Sequence, residues 1–176
     1  MSSKLTYSKK FHWTAKVIFT VEIFFIVVFA FLAGYFMNYF LNHSAPVVDG
    51  LWAIISGVMV WETTPKKTIK LAKTRFKAAC LGAPIGGVYL LLFDFDVFGM
   101  GICVGLAVIL AYLLNFDNGL KATAVTIAVV LLISSVNPHV NPMLNASLRV
   151  IESGIGCVVA IGVSYIPIPP RYRFVK

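Results

Sequence analysis

Apolar residues fall into six runs separated by short polar stretches. A helix needs about 17–25 residues to cross a bilayer core of roughly 30 Å. On that criterion the runs predict six membrane-spanning helices, over residues 17–41, 47–61, 76–93, 97–114, 119–136 and 147–168. The second run is short and relies on Trp52 and Trp61 as interfacial residues. The third has an amphipathic lead-in, PKKTIKLAKTRFK, that continues the same helix into the headgroup layer. Turn-formers bound the runs: Asn42-His43-Ser44 after the first, Pro65 after the second, Asn137-Pro138 after the fifth and Pro167-Ile168-Pro169-Pro170 after the sixth.

Charge then orients the helices. Lys4, Lys9, Lys10 and Lys16 precede the first run. Lys66, Lys67, Lys70, Lys73, Arg75 and Lys77 separate the second from the third. Lys121 opens the fifth, and Arg171, Arg173 and Lys176 close the chain. With six spans all of these fall on one side, which the positive-inside rule assigns to the cytoplasm, together with both termini. The opposite side receives residues 42–50, the Asp94-Phe95-Asp96 turn and residues 137–146, with Asp49, Asp94 and Asp96 but no Lys or Arg. The expected organisation is a basic cytoplasmic N-terminus over 1–16, a six-helix transmembrane domain over 17–168 and a basic cytoplasmic tail over 169–176.

Composition agrees with a multi-pass membrane protein. Hydrophobic residues make up 59% and charged residues 12% of the chain, against about 25% charged in a soluble domain. A net charge of +8 would suggest nucleic acid in a soluble protein. Here the cations lie between apolar runs, so anionic lipid headgroups are the expected partner, met by Lys66, Lys67, Lys70, Lys73 and Arg75. No aromatic-basic platform or groove-reading helix points to nucleic acid. The first run is too long for the apolar core of a signal peptide and reads as a retained helix. Cys80, Cys103 and Cys157 lie inside spans without metal-ligand spacing and read as packing residues.

Arg75 and Arg149 each open a run rich in small residues. Gly82 and Gly86 follow the first at the offsets at which Gly156 and Ala160 follow the second, and Pro65 and Pro138 close the preceding runs. Three spans is an odd number, so two such halves insert in opposite orientations. A 3+3 inverted repeat is therefore one reading. Ordinary small-residue packing between membrane helices is the other.

Few ionisable groups lie within the spans, and such groups mark function by default. Arg149 breaks the positive-inside pattern and sits near a helix N-terminus, where the dipole disfavours a cation. Glu152, three residues on, shares its face. The pair is either a structural ion pair, with Arg149 reaching out to water, or a contact for a carboxylate substrate, which an arginine fork binds in two places. Glu22, inside the first span, is a proton-coupling carboxylate or the partner of a cytoplasmic lysine. Glu62 stands four residues before Lys66 and reads as its helix-end partner. Trp52 borders the outer loop and is the candidate to stack on an aromatic substrate. His43 and His139 both fall outside, but nothing in their spacing supports a shared metal site, and no metal or cofactor is expected. No P-loop, nucleophile elbow or zinc helix appears, so no enzyme activity is expected.

The stretch LWAIISGVMVWETTPKKTIKLAKTRFKAACLGAPIG, together with RVIESGIG opening the sixth run, resembles the membrane domain of the fusaric acid resistance and aromatic acid exporter family. The likeness rests on Trp52, Pro65, Arg75, Gly82, Gly86, Arg149 and Gly156. The first motif glycine is Ala78 here. Members commonly add a cytoplasmic domain or a second membrane half. The resemblance implies inner-membrane efflux of aromatic carboxylates, with protons as the driving ion.

The expectation is thus an all-α, six-span, homo-oligomeric transporter of small organic anions. In it Arg149, Glu152 and Trp52 contact substrate, and Glu22 or Glu152 couples to protons. The rival is a non-transporting scaffold subunit of a membrane complex.

Overall fold

The computed structural model describes residues 2–40, 46–136 and 140–166. Six helices carry them: α1 (Ser2–Phe40), α2 (Pro46–Val60), α3 (Pro65–Leu92), α4 (Val97–Leu113), α5 (Leu120–Val136) and α6 (Pro142–Ser164). A 3-10 turn over Asp117–Gly119 leads into α5. The fold is all-α, as the apolar runs require, and no strand occurs among the described residues. Among the described residues, four segments are long and apolar enough to cross a membrane: Val17–Met37, Pro65–Leu92, Asp117–Val136 and Pro142–Ser164. The apolar parts of α2 and α4, Val47–Val60 and Val97–Leu113, are shorter. At 1.5 Å per residue the 15 residues of α2 reach only about 22 Å.

The basic lead-in and the third span form one continuous helix, α3. Pro65 does not close α2; it is the first residue of α3, where its missing N–H costs nothing. Likewise α6 opens at Pro142, earlier than the apolar pattern suggests. Asn141 caps it, its side chain accepting from the Met143 N–H at 2.9 Å. Asp96 caps α4 by accepting from the Gly99 N–H, also at 2.9 Å. Asn115 takes a left-handed conformation, φ 52°, in the turn after α4, a conformation that asparagine tolerates. His43, Pro138 and His139 lie outside the described residues.

Packing follows the inverted-repeat pattern. α3 and α6 cross at the centre, running in opposite directions: Ala72 and Phe76 meet Cys157 and Gly154, while Gly87 meets Met143 and Ala146. α2 runs alongside α6, and α5 alongside α3; α1 covers α2, and α4 covers α5. The close approach at each of the two inner crossings depends on one glycine. A Cβ on Gly156 would stand 2.2 Å from the Ala53 carbonyl oxygen, and one on Gly82 would stand 2.8 Å from the Thr123 carbonyl oxygen. Both distances are shorter than van der Waals contact, so the backbones meet only because these residues lack side chains.

Small apolar clusters fill the remaining space. Ile26, Val60, Ala72, Cys157, Ala160 and Val163 form one near the ends of α2 and α6. Cys103, Ala107, Ile127 and Leu131 join α4 to α5. The large apolar side chains point outward, including Phe24, Phe98, Ile102, Leu113 and Val158. Outward-facing bulk with a small-residue interior is the pattern expected where the surrounding solvent is lipid.

Candidate functional site

The core between α2, α3, α5 and α6 is polar, and each group in it follows from helical spacing. On α2, Asp49, Trp52 and Ser56 recur at three- and four-residue intervals and share the face turned to α6. On α6 the matching face carries Asn145, Arg149, Glu152 and Ser153, all buried. α3 contributes Arg75 and α5 contributes Thr126, both buried.

Arg149 has no solvent exposure and is held between two carboxylates that have none either. Its Nη2 stands 2.5 Å from Asp49 Oδ1 and its Nη1 2.7 Å from Glu152 Oε2. Asp49 lies in the first turn of α2, where the helix dipole favours a negative charge. Arg149 therefore does not reach out to water. It ties the start of α2 to α6 through a charge-assisted hydrogen bond to Asp49, the strong class, and forms an ion pair with Glu152 within α6.

Arg75 is 2% exposed and has a different set of neighbours. Nη1 donates to the Ala122 carbonyl at 3.2 Å and to Thr126 Oγ1 at 3.4 Å; Nη2 donates to Ser56 Oγ at 3.4 Å. Its guanidinium carbon lies 4.9 Å over the Trp52 ring, within cation–π range. Nε is buried without a hydrogen-bond partner. No carboxylate pairs with Arg75 among the described residues.

Trp52 joins the two arginines. Its Nε1–H donates to the Arg149 carbonyl at 3.2 Å while its face lies under Arg75. One turn on, Ser56 Oγ donates to Ser153 Oγ at 3.2 Å. One turn before Arg149 on α6, Asn145 Nδ2 donates to Ser134 Oγ at 2.7 Å and to the Val130 carbonyl at 3.2 Å.

The two halves of the core correspond position by position. Gly82 follows Arg75 by seven residues and meets the Thr123 carbonyl; Gly156 follows Arg149 by seven and meets the Ala53 carbonyl. Ser56 stands three residues after Ala53, and Thr126 three after Thr123. The correspondence fails at the charges. Where Arg149 has Asp49 and Glu152, the equivalent positions around Arg75 hold Gly119 and Ala78. The same architectural arginine is neutralised in one half and left among neutral groups in the other.

The sequence-derived candidates are placed as follows. Arg149 and Glu152 are paired and buried. Trp52 is in the core, 3% exposed, not at the interface. Glu22 is buried on the α1 stripe that continues through Ile26 and Ala30. Lys66, Lys67, Lys70 and Lys73 are exposed, as headgroup contact requires. Arg75 departs from them: it occupies the inward face of α3 with Thr68 and Ala72, so it is a core residue and not a lipid-facing one. Glu62 lies beyond the end of α2, separated from Lys66 by the break before α3, and its N–H donates to Thr68 Oγ1 at 3.1 Å. Asp49, Ser56, Thr126, Ser153 and Asn145 were not singled out by sequence reasoning. The signal that finds Asp49 and Ser56 is their helical register with Trp52.

Across this core, residues 32–163 match the family described as fusaric acid resistance protein-like. The chain belongs to that family. The match runs from within α1 to the last turn of α6, so it takes in every residue of the buried network. No curated protein and no solved structure matches the chain. Membership in the fusaric acid resistance protein-like family and the apolar helices together identify a membrane protein.

Proposed function

We propose that this protein moves small organic anions, aromatic carboxylates among them, across the inner membrane as a homo-oligomer, exporting them at the expense of a proton gradient. The observation that carries this reading is the pair of arginines buried between the inner helices of an inverted repeat. A bundle that needs only to span a bilayer has no use for guanidinium groups at its core, where ionisable side chains are costly. Transporters of this plan place their sites at the interface between repeats. The family takes its description from resistance to fusaric acid, itself an aromatic carboxylic acid, which fits cationic groups beside an indole. Glu152 and Glu22 are buried carboxylates suited to carry the coupled proton. No enzymatic step is part of the proposal.

The scaffold reading draws on one observation. A 380 Å³ hollow lies at the ends of α3, α5 and α6, lined by Phe93, Asp94, Ser134 and Pro142, and an 870 Å³ apolar groove lies between α3 and α4; neither is lined by Arg75 or Arg149. Efflux of benzoate from proteoliposomes, with leak from protein-free vesicles subtracted, separates the two readings. Gradient-dependent efflux supports transport. None from folded protein supports the scaffold.

A further inference from the structure

Arg75 is the one of the two core arginines left to meet a ligand. Asp49 and Glu152 hold both Nη groups of Arg149 at ion-pair distance, and an incoming anion would have to displace a carboxylate there. Around Arg75 the acceptors are neutral and at or beyond the long end of the hydrogen-bond range: 3.2 Å to the Ala122 carbonyl, and 3.4 Å to the Thr126 and Ser56 hydroxyls. Nε is buried without a hydrogen bond in both arginines; what sets Arg75 apart is that no carboxylate lies at ion-pair distance among the described residues. A guanidinium in this setting has lost its hydration without gaining a counter-charge in contact, which is expensive. A carboxylate approaching the Nε edge would take two parallel bonds, from Nε and one Nη, the geometry that arginine favours.

The surroundings complete a site. Ser56, Thr126 and Ser153 bring hydroxyls to the same level, and Trp52 provides an apolar floor under the guanidinium. Arg75 also occupies a seam. α2 and α5 have little direct packing against each other, and Arg75 bridges them through Ser56 on one side and Thr126 on the other. These are equivalent positions of the two halves, so the bridge lies where the repeats meet. Its α5 contacts fall in the first two turns of that helix, on the side that carries Lys121 and the exposed lysines of α3. Fixed cations there raise the local concentration of anions. The carboxylates of Asp49 and Glu152 are taken up by Arg149, and a carried anion must leave as readily as it enters.

We propose that Arg75, with the Ser56, Thr126 and Ser153 hydroxyls and Trp52, is the binding site for a monovalent carboxylate, entered from the lysine-bearing side between α2 and α5, and that Arg149 is a structural tie. This rests on the transport reading for its purpose but not for its test.

The test uses the purified full chain with Trp13→Phe and Trp61→Phe, so that Trp52 is the only indole and reports on the site. Benzoate is the probe, titrated against Trp52 fluorescence, beside Arg75→Gln, Arg75→Lys and Thr126→Val; thermal unfolding establishes that each variant is folded. The expected result is saturable change in the parent, a rise in half-saturating benzoate of at least tenfold in Arg75→Gln, and a smaller rise in Arg75→Lys and Thr126→Val. Unchanged half-saturation in Arg75→Gln, or no saturable change in the parent, overturns the site. If Arg75→Gln fails to fold, unchanged half-saturation in both Arg75→Lys and Thr126→Val overturns it instead. Benzoate efflux from proteoliposomes is run in parallel. Binding without efflux in the parent rejects transport and leaves the site standing. Efflux that Arg75→Gln leaves intact rejects the site and leaves transport standing.

Discussion

Asp49 Oδ1 lies 2.5 Å from Arg149 Nη2, and neither side chain touches solvent. The contact joins the first turn of α2 to α6 across a hundred residues of sequence, and it decides which arginine is structural. Breaking a buried ion pair leaves an uncompensated charge and costs about 3–5 kcal/mol. Asp49→Asn still leaves Arg149 its ion pair with Glu152. Arg149→Met strands two carboxylates. The expected order of thermal stability in detergent is wild type, then Asp49→Asn, then Arg149→Met. Asp49→Asn introduced into the Arg149→Met background recovers part of the loss. Equal stability of Arg149→Met and wild type would remove the structural role assigned here.

Two glycines in α6 have opposite tolerances. A Cβ on Gly156 would collide with the Ala53 carbonyl, whereas one on Gly162 has nothing within 4 Å. Gly156→Ala must push α2 from α6 and is expected to lower the unfolding temperature clearly. Gly162→Ala gains helix propensity, about 1 kcal/mol at most, and is expected to be neutral or stabilising. The same thermal assay checks both, and tolerance of Gly156→Ala would show that the crossing is looser than described.

The cap of α6 is a smaller, local effect. Asn141 Oδ1 accepts from the Met143 N–H at 2.9 Å and the Leu144 N–H at 3.4 Å. Asn141→Ala removes both bonds and is expected to cost about 1 kcal/mol, while Asn141→Asp retains them. Equal loss in the two variants would mean that the cap does not act through its acceptor.

Topology is open to direct labelling. Lys70 and Ser135 are exposed near opposite ends of the helices, and the positive-inside rule places Lys70 in the cytoplasm. In a background lacking Cys80, Cys103 and Cys157, Ser135→Cys is expected to react with a membrane-impermeant maleimide on intact cells. Lys70→Cys is expected to react only after permeabilisation. The reverse pattern would invert the orientation.

Much of the architecture was legible because it rests on run length and charge spacing. The six helices, the unbroken α3 and the correspondence of Gly82 with Gly156 all follow from one-dimensional periodicity. The core charges were less legible because a charge run hides direction. Arg75 stands among lysines in the sequence, yet the turn of α3 places it on the inward side while Lys70, Lys73 and Lys77 face out. Asp49 follows a stretch of turn-formers and so read as a loop residue, whereas the helix starts at Pro46 and carries it inside. Trp52 read as interfacial because α2 is short; its register with Asp49 and Ser56 instead turns it to α6. The pairing of Glu152 with Arg149 was visible from their spacing, but the second carboxylate, a hundred residues away, was not.

The central claim is that an organic anion crosses the membrane by way of Arg75. The most direct measurement is benzoate efflux from proteoliposomes holding wild type or Arg75→Gln, each with and without an imposed pH gradient and against protein-free vesicles. The account predicts gradient-dependent efflux in wild type, reduced at least tenfold in a folded Arg75→Gln. Efflux equal in the two proteins, or no efflux above the protein-free vesicles in either, would contradict it.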